Sequence, residues 1–190
     1  MNTSRHSLAL VSLFAALVAV LGLIPKIDLP FGVPITLQTL GVMLAGCMLG
    51  PRRGLQALLL FLGAVALGLP LLSGGRGGLG VFASPSVGYL VAWPVGALVA
   101  GLVMASLPAA TPRRAAASAF VASLVGGLLV VHASGVAGLV FMTQMTWLQA
   151  ATATLAFVPG DLVKCAVCAL VVHTVARGLP DWRFGGRAAH

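Results

Sequence analysis

Acidic residues are almost absent from this chain, and their absence narrows the class of protein. The 190 residues include no Glu and three Asp, which are Asp28, Asp161 and Asp181. Charged residues make up 7% of the chain, whereas soluble proteins carry about 25%. A soluble fold of this length needs far more polar surface, because most of its residues lie at or near water. With 59% hydrophobic residues and a mean hydropathy of +1.08, the composition predicts a protein of the lipid bilayer.

Patterns for catalysis are also missing. No G-x-x-x-x-G-K-[ST] motif occurs, so an ATP-driven function would need a separate ATPase. Residues 75–80 fit G-x-G-x-x-G, but they lie between two predicted membrane helices instead of between a strand and a helix. Cys165 and Cys168 form a C-x-x-C inside an apolar stretch, where cysteine is a small apolar residue. The four His show no metal-ligand spacing; His132, alone in a span, is a packing residue or lines a cavity. We therefore expect no enzyme, no metal and no cofactor.

Apolar runs dominate what is present. A helix needs roughly 20 apolar residues to cross the bilayer, and six segments come near that length. They are residues 7–24, 35–49, 55–72, 87–107, a fifth from 115 that ends near 133–138, and 155–176. An external connection follows the fifth, and Trp147–Thr154 is an alternative start of the sixth. The first span resembles the core of a signal peptide, but its length and the lack of an A-x-A site predict that it is retained.

This pattern predicts an all-α integral membrane protein with six transmembrane helices. Residues 1–176 form one membrane domain, and residues 177–190 form a short basic tail. With the N-terminus inside, eight basic residues lie on the inner side. They are Arg5, Arg52, Arg53, Arg113, Arg114, Arg177, Arg183 and Arg187. The outer loops hold only Lys26 and Arg76, so the positive-inside rule predicts that both termini are cytoplasmic. Basic residues spread over short loops do not form one basic face, and we expect no nucleic-acid partner.

Two charges fall inside a predicted span. Asp161 and Lys164 are three residues apart and lie on one face of a helix. Burying a charge at mid-span costs about 2.5–3.5 kcal/mol, so such residues normally face a cavity or a partner. Pro159 and Gly160 precede the pair. If the helix restarts there, its free N–H groups and positive dipole end point at the same place.

Other polar residues are predicted at the same depth on the outer side. They are Thr36, Gln38 and Thr39 of the second span, the glycine-rich loop 73–86 and Tyr89 at the start of the fourth span. Their convergence predicts an outward-opening pocket for a small polar or zwitterionic solute. From the residues alone, Asp161 and Lys164 could instead be a buried pair that only ties helices together.

Four sequence blocks together carry a family resemblance. They are V-P-I-T-L-Q-T-L at residues 33–40, L-G-P-R-R-G at residues 49–54, the stretch from G-L-P at 68–70 to G-Y-L at 88–90, and G-D-L-V-K at residues 160–164. These blocks resemble the BioY family, the biotin-specific substrate-binding (S) components of energy-coupling factor transporters. The resemblance covers essentially the whole chain. The first and last blocks together are specific, whereas either one alone is weak.

The resemblance implies a multi-pass protein of the cytoplasmic (inner) membrane that captures biotin at its outer face. It implies as partners a membrane-embedded coupling (T) component and two ABC-type ATPase subunits. The predicted substrate-binding residues are Asp161, Lys164, Thr36, Gln38, Tyr89 and Gly77. Gly77 represents a loop in which a polar side chain is expected, so its contacts would come from backbone N–H groups. S components are similar in using an A-x-x-x-A face of the first helix to meet the coupling protein, and Ala15 and Ala19 match that pattern.

Other functions stay open at this level. The chain could be an S component for another vitamin, or a stand-alone secondary carrier for a small vitamin-like solute. An intramembrane enzyme would need a nucleophile or metal set that the sequence lacks. A membrane scaffold would use the buried pair for structure only.

Overall fold

Helices make up nearly all of the computed structural model, which describes residues 2–186. Over these residues the chain forms six helices and no strand beyond two isolated bridges. They are α1 (Asn2–Leu21), α2 (Gln38–Leu49), α3 (Pro51–Ala66), α4 (Val87–Ser106), α5 (Pro112–Thr143) and α6 (Trp147–Gly178). The predicted all-α fold with six helices is confirmed. Arg187 and the last three residues of the predicted basic tail lie outside the described residues.

Three of the helices have the length of membrane spans, and the bundle has an apolar outer surface. In the described chain, α4, α5 and α6 are long and apolar enough to cross a bilayer, and His6–Leu21 and α2 are shorter apolar helices. Large apolar side chains such as Leu13, Leu60 and Leu170 are exposed on the outside of the bundle. A soluble monomer does not expose so much apolar surface. The outer surface of this bundle is therefore suited to lipid.

The end of α5 and the start of α6 differ from the prediction. α5 continues to Thr143 instead of ending near 133–138, because its second half packs backbone to backbone on α4. A Cβ on Gly138 would lie 2.6 Å from the Cα of Gly88, so only glycine allows this approach. Gln144 then adopts a left-handed conformation, and a capping box between Thr146 and Gln149 starts α6 at Trp147. The predicted external connection is reduced to residues 144–146.

The sixth helix changes type close to the expected restart at Pro159 and Gly160. A 3-10 turn at Leu155–Phe157 interrupts the α-helix, which begins again at Val158, and Phe157 and Val158 keep right-handed helical angles. Proline fits here because it lies in the first turn after that 3-10 segment, where its missing N–H costs little. Asp161 lies in the same first turn.

Two ends of the bundle can be distinguished along α2. Gln38 begins this helix beside the segments that carry the predicted site, which we call the cavity end. Gly50 follows its last residue, and its backbone touches Gly185 beyond α6. We call this the basic end, since Arg52 and Arg53 lie there in the first turn of α3. The core between the two ends contains fully buried Met43 and Phe61.

Candidate substrate-binding site

A cavity with about 500 Å³ of empty space, which includes its opening to solution, lies at the cavity end of the bundle. Side chains from α2, α4, α5, α6 and two loops line it. They are Val33, Pro34, Thr36, Gln38, Thr39, Leu72, Arg76, Ser86, Tyr89, Leu90, Trp93, Val131, His132, Phe157, Asp161 and Lys164. Small-molecule sites combine apolar walls with a few convergent polar groups. This cavity has both features.

Asp161 and Lys164 form the charged centre of the cavity. Lys164 Nζ donates to Asp161 Oδ1 at 2.7 Å, and the two residues are 6% and 2% exposed. Thr39 joins them from α2: its hydroxyl accepts from Lys164 Nζ at 2.8 Å and donates to Asp161 Oδ1 at 3.3 Å. The structure thus brings the predicted pair together with α2. Charges buried this deeply need such partners, because an isolated charge in an apolar interior is costly.

His132 completes the polar network from α5. Its Nε2 lies 2.7 Å from Asp161 Oδ2. An ionised carboxylate can only accept, so Nε2 carries the proton and donates. His132 lies two residues beyond the end of the π-helical segment Ser123–Val130, and such segments recur near functional sites. The sequence allowed two roles for His132, packing or lining a cavity. In the structure His132 lines the cavity and forms a hydrogen bond with Asp161.

The network leaves hydrogen-bonding capacity free for a ligand. A carboxylate has about four acceptor positions, and residues 2–186 fill three of those on Asp161, through Lys164, Thr39 and His132. A lysine ammonium has three donors, and two of those on Lys164 are used, by Asp161 and Thr39. One acceptor position on Asp161 Oδ2 and one donor on Lys164 Nζ thus remain. This pair is complementary to an amide-like group.

Gln38 is held in the cavity wall by three hydrogen bonds to the protein. Its side chain is 1% exposed, and its Nε2 donates to the carbonyl oxygens of Val18 and Leu71 at 3.1 and 3.0 Å. Its Oε1 accepts from the backbone N–H of Ser73 at 3.0 Å. Both amide hydrogens are therefore used by the protein. Gln38 joins α1, α2 and the loop after α3.

Tyr89 belongs to an aromatic wall of the cavity. Its hydroxyl lies 2.7 Å from the Thr154 hydroxyl, and its ring centroid lies 5.5 Å from that of Phe157. The ring of His132 lies 6.0 Å from Phe157, so the wall meets the polar network. A Cβ on Gly135 would lie 2.2 Å from the Tyr89 ring, so α5 must carry glycine there. Thr154 and Phe157 were not among the predicted site residues, because their apolar surroundings give no sequence signal.

Thr36 and Gly77 have different positions. Thr36 lines the cavity just before α2, where its hydroxyl accepts from the Gln38 N–H at 3.4 Å. Gly77 is not among the lining residues, and a Cβ there would lie 2.2 Å from the Leu69 carbonyl oxygen. The loop contributes Arg76 to the cavity instead, and Arg76 Nε donates to the Ser73 carbonyl at 3.4 Å.

Ala15 and Ala19 lie on a face of α1 that is largely turned inward. Ala15 is 8% exposed and belongs to the core, and Ala19 is half-buried against it. α1 packs on α2 and α3 through this face. Ser12 and Ala16, by contrast, are exposed on the outside of the bundle. The outward surface of α1 is thus centred one residue away from the predicted motif.

Fold and site together define a multi-pass membrane protein that encloses a solute-sized cavity around a buried ion pair. The BioY family model matches residues 1–181, and the chain belongs to the BioY family. The biotin transporter BioY of Rhizobium etli is 45% identical over 180 residues, which cover 93% of this chain and 96% of that relative. The biotin transporter BioY of Rhodobacter capsulatus is 46% identical over 188 residues, with the same shares covered.

A solved structure gives the same fold. The crystal structure of the S-component for biotin from an ECF-type ABC transporter is similar with a TM-score of 0.85 and 30% identity. The match covers 93% of this chain and 95% of that chain. The family consists of transporter components, so the expectation that this chain is not an enzyme is confirmed.

Proposed function

We propose that this chain captures biotin as the S component of an energy-coupling factor transporter. The observation that carries the proposal is the buried Asp161–Lys164 pair, which lines a solute-sized cavity with one acceptor and one donor unused. The similarity of the chain to known proteins supports the choice of ligand, because relatives at 45% and 46% identity are biotin transporters.

The ureido ring of biotin fits the unused groups. The ring has N–H donors beside a carbonyl acceptor, so an N–H meets the remaining acceptor of Asp161 while the carbonyl accepts from Lys164. Thr36 borders this polar part of the cavity. The apolar part, which includes Trp93 and Phe157, covers the thiophane ring and the aliphatic tail.

The valerate carboxylate of biotin also needs a partner. Lys164 is engaged at the ureido ring in this arrangement. Among the described residues, Arg76 is the arginine that lines the cavity, and it lies on the loop at its mouth. We assign Arg76 to this carboxylate, because a guanidinium matches a carboxylate in charge and geometry.

A binding panel tests the choice of ligand. The purified chain is incubated with radiolabelled biotin, thiamine or riboflavin, and equilibrium binding is measured. We expect saturable biotin binding that neither unlabelled thiamine nor riboflavin displaces. Saturable binding of another vitamin in place of biotin would contradict the proposal and leave the cavity to a different ligand.

The distribution of charge supports the orientation in the membrane. Arg52, Arg53 and Arg183 lie at the basic end, opposite the cavity. Since inner loops are enriched in basic residues, the basic end is cytoplasmic and the cavity opens to the outside of the cytoplasmic membrane. A reporter domain that is active only in the cytoplasm should therefore be active when it is fused to either end of the chain. A reporter domain that is active only outside the cytoplasm should be inactive at both ends.

We further propose that the partners are a membrane-embedded coupling component and two ABC-type ATPases. The exposed face of α1 is the assigned contact, with Ser12 and Ala16 as the small residues on it and Ala19 at its edge. Small residues let helix backbones approach closely within lipid. Ala16→Leu should reduce co-purification with the coupling component and leave biotin binding intact. The matched control is Ala116→Leu, because Ala116 lies on the half-buried surface of α5. The neighbouring Ala115 is buried and is not suitable as a control.

A further inference from the structure

A second recess lies at the basic end, opposite the substrate cavity. Its empty volume is about 1510 Å³, and it is open to solution. Basic side chains from three parts of the chain line it, with one acid among them. They are His6 of α1, Arg52 and Arg53 of α3, and Arg183 and Asp181 of the segment after α6. We call these five residues, together with Trp182, the basic cleft.

The segment that carries Arg183 is packed onto the bundle. Trp182 Nε1 donates to the carbonyl oxygen of Met48, near the end of α2, at 3.2 Å. A Cβ on Gly50 would lie 2.5 Å from the carbonyl oxygen of Gly185, so these two backbones touch. Arg183 is therefore held beside α2 and α3 by its neighbours on both sides.

The arginines of the cleft have no ion-pair partner among the described residues. Among the described side chains, the ion pairs are Lys26–Asp28, His132–Asp161 and Lys164–Asp161, and none involves an arginine. Three arginines against Asp181 leave 3 − 1 = +2 charges at the recess. Guanidinium groups present several N–H donors in a planar fork that matches a phosphate group.

The same recess has an apolar part. Leu10, Met48 and Leu49 line it beside the arginines. A free anion is not complementary to this apolar surface, whereas a lipid has both a charged head group and an apolar chain. Basic pockets between membrane helices on the cytoplasmic side are suited to anionic head groups, since the cytoplasmic leaflet is negatively charged.

We propose that the basic cleft binds the phosphate head group of an anionic phospholipid. Arg52, Arg53 and Arg183 contact the phosphate, and the acyl chain lies along Leu10. Trp182 stays at the level of the head groups, where tryptophan is enriched in membrane proteins. The site is independent of the substrate cavity and does not rest on the identity of the substrate.

Native mass spectrometry of the full chain tests this site. The protein in neutral detergent is titrated with dioleoylphosphatidylglycerol or dioleoylphosphatidylcholine, and bound lipid is counted. We expect preferential binding of phosphatidylglycerol, weakened about fivefold for each arginine removed in Arg52→Gln and Arg183→Gln. The matched control is Arg113→Gln with Arg114→Gln, because these arginines are exposed at the same end but do not line the cleft. The control should bind as the unmodified chain does.

Any one of four results would overturn the proposal. Equal binding of both lipids, or an unchanged preference in the Arg52 and Arg183 variants, would show that the cleft does not select the lipid. Displacement of the bound lipid by inorganic phosphate would assign the cleft to a free anion. If the Arg52 and Arg183 variants bound lipid normally but no longer assembled with the coupling component, the cleft would be a protein-docking surface. Unchanged thermal unfolding of the variants, measured in parallel, ensures that a loss reflects binding and not folding.

Discussion

At the scale of single residues, Asp161 accepts hydrogen bonds from three different helices. Lys164 belongs to its own helix α6, Thr39 to α2 and His132 to α5. The carboxylate therefore joins the bundle and also presents an acceptor to the cavity. The purely structural reading of the pair explains its burial, but it does not explain why a solute-sized cavity surrounds it.

His132 offers a residue-scale prediction. Replacing it with Ala removes a hydrogen bond to a charged group, which is worth about 1.5–3 kcal/mol. We expect His132→Ala to weaken biotin binding about tenfold or more. Equilibrium binding to the purified variant is the measurement.

His173→Ala is the control for this experiment, because His173 lies further along α6 and does not line the cavity. It should bind biotin as the unmodified chain does. Equal affinities for both variants and the unmodified chain would show that His132 only fills space.

Arg76 gives a second prediction at this scale. If its guanidinium pairs with the valerate carboxylate, Arg76→Gln should weaken biotin binding about fivefold, as expected for a half-exposed ion pair worth about 1 kcal/mol. Biotin methyl ester, which lacks the charge, should bind the variant and the unmodified chain equally. An identical loss for acid and ester would instead indicate a change in the shape of the loop.

At the scale of elements, close contacts between glycines set how α4 and α5 pack. A Cβ on Gly88 would lie 2.4 Å from the Ser134 carbonyl oxygen and 2.8 Å from the Gly138 Cα. The Ser134 hydroxyl also donates to the Gly88 carbonyl at 2.8 Å. Because Tyr89 and His132 extend from these helices, this contact positions one wall of the cavity.

The packing predicts opposite effects at two glycines. Gly88→Val forces α4 and α5 apart and should destabilise the chain by about 1–3 kcal/mol, with weaker biotin binding. Gly63→Ala has open space around its Cβ within α3 and should leave binding intact and stabilise the helix by about 0.5–1 kcal/mol. Thermal unfolding in detergent measures both. A Gly88→Val variant as stable as Gly63→Ala would contradict the contact.

Features that depend on local sequence could be predicted, whereas features that depend on contacts between distant segments could not. The number of helices and the pair of Asp161 and Lys164 could be predicted, because apolar run length and intramembrane charge are local signals. The continuation of α5 past Gly138 depends on α4, which is distant in sequence. The hydrogen bonds of Gln38 to Val18, Leu71 and Ser73 are tertiary contacts of the same kind. The periodicity of the sequence carries no information on the end of α5 or on these hydrogen bonds.

At the scale of the whole molecule, we expect substrate capture and energy supply to be separate. Residues of four helices and two loops of this chain line the cavity, so the chain alone should bind biotin without a coupling component or ATPase. The basic end and the exposed face of α1 lie away from the cavity and are available for partners and lipid. Changes at these surfaces should therefore affect transport or lipid binding before they affect biotin affinity.

The most direct test of the account is the dissociation constant of biotin for the purified chain and three variants. Asp161→Asn leaves the buried Lys164 charge without its carboxylate, and Lys164→Ala removes the cation beside Asp161, which keeps Thr39 and His132. Each change breaks a buried ion pair, which costs about 3 kcal/mol, so binding should fall at least about a hundredfold. Asp28→Asn is the matched control, because Asp28 forms an exposed ion pair with Lys26 outside the cavity. Its dissociation constant should equal that of the unmodified chain. Unchanged biotin affinity in folded Asp161→Asn and Lys164→Ala proteins would contradict the assignment of this pair as the biotin site.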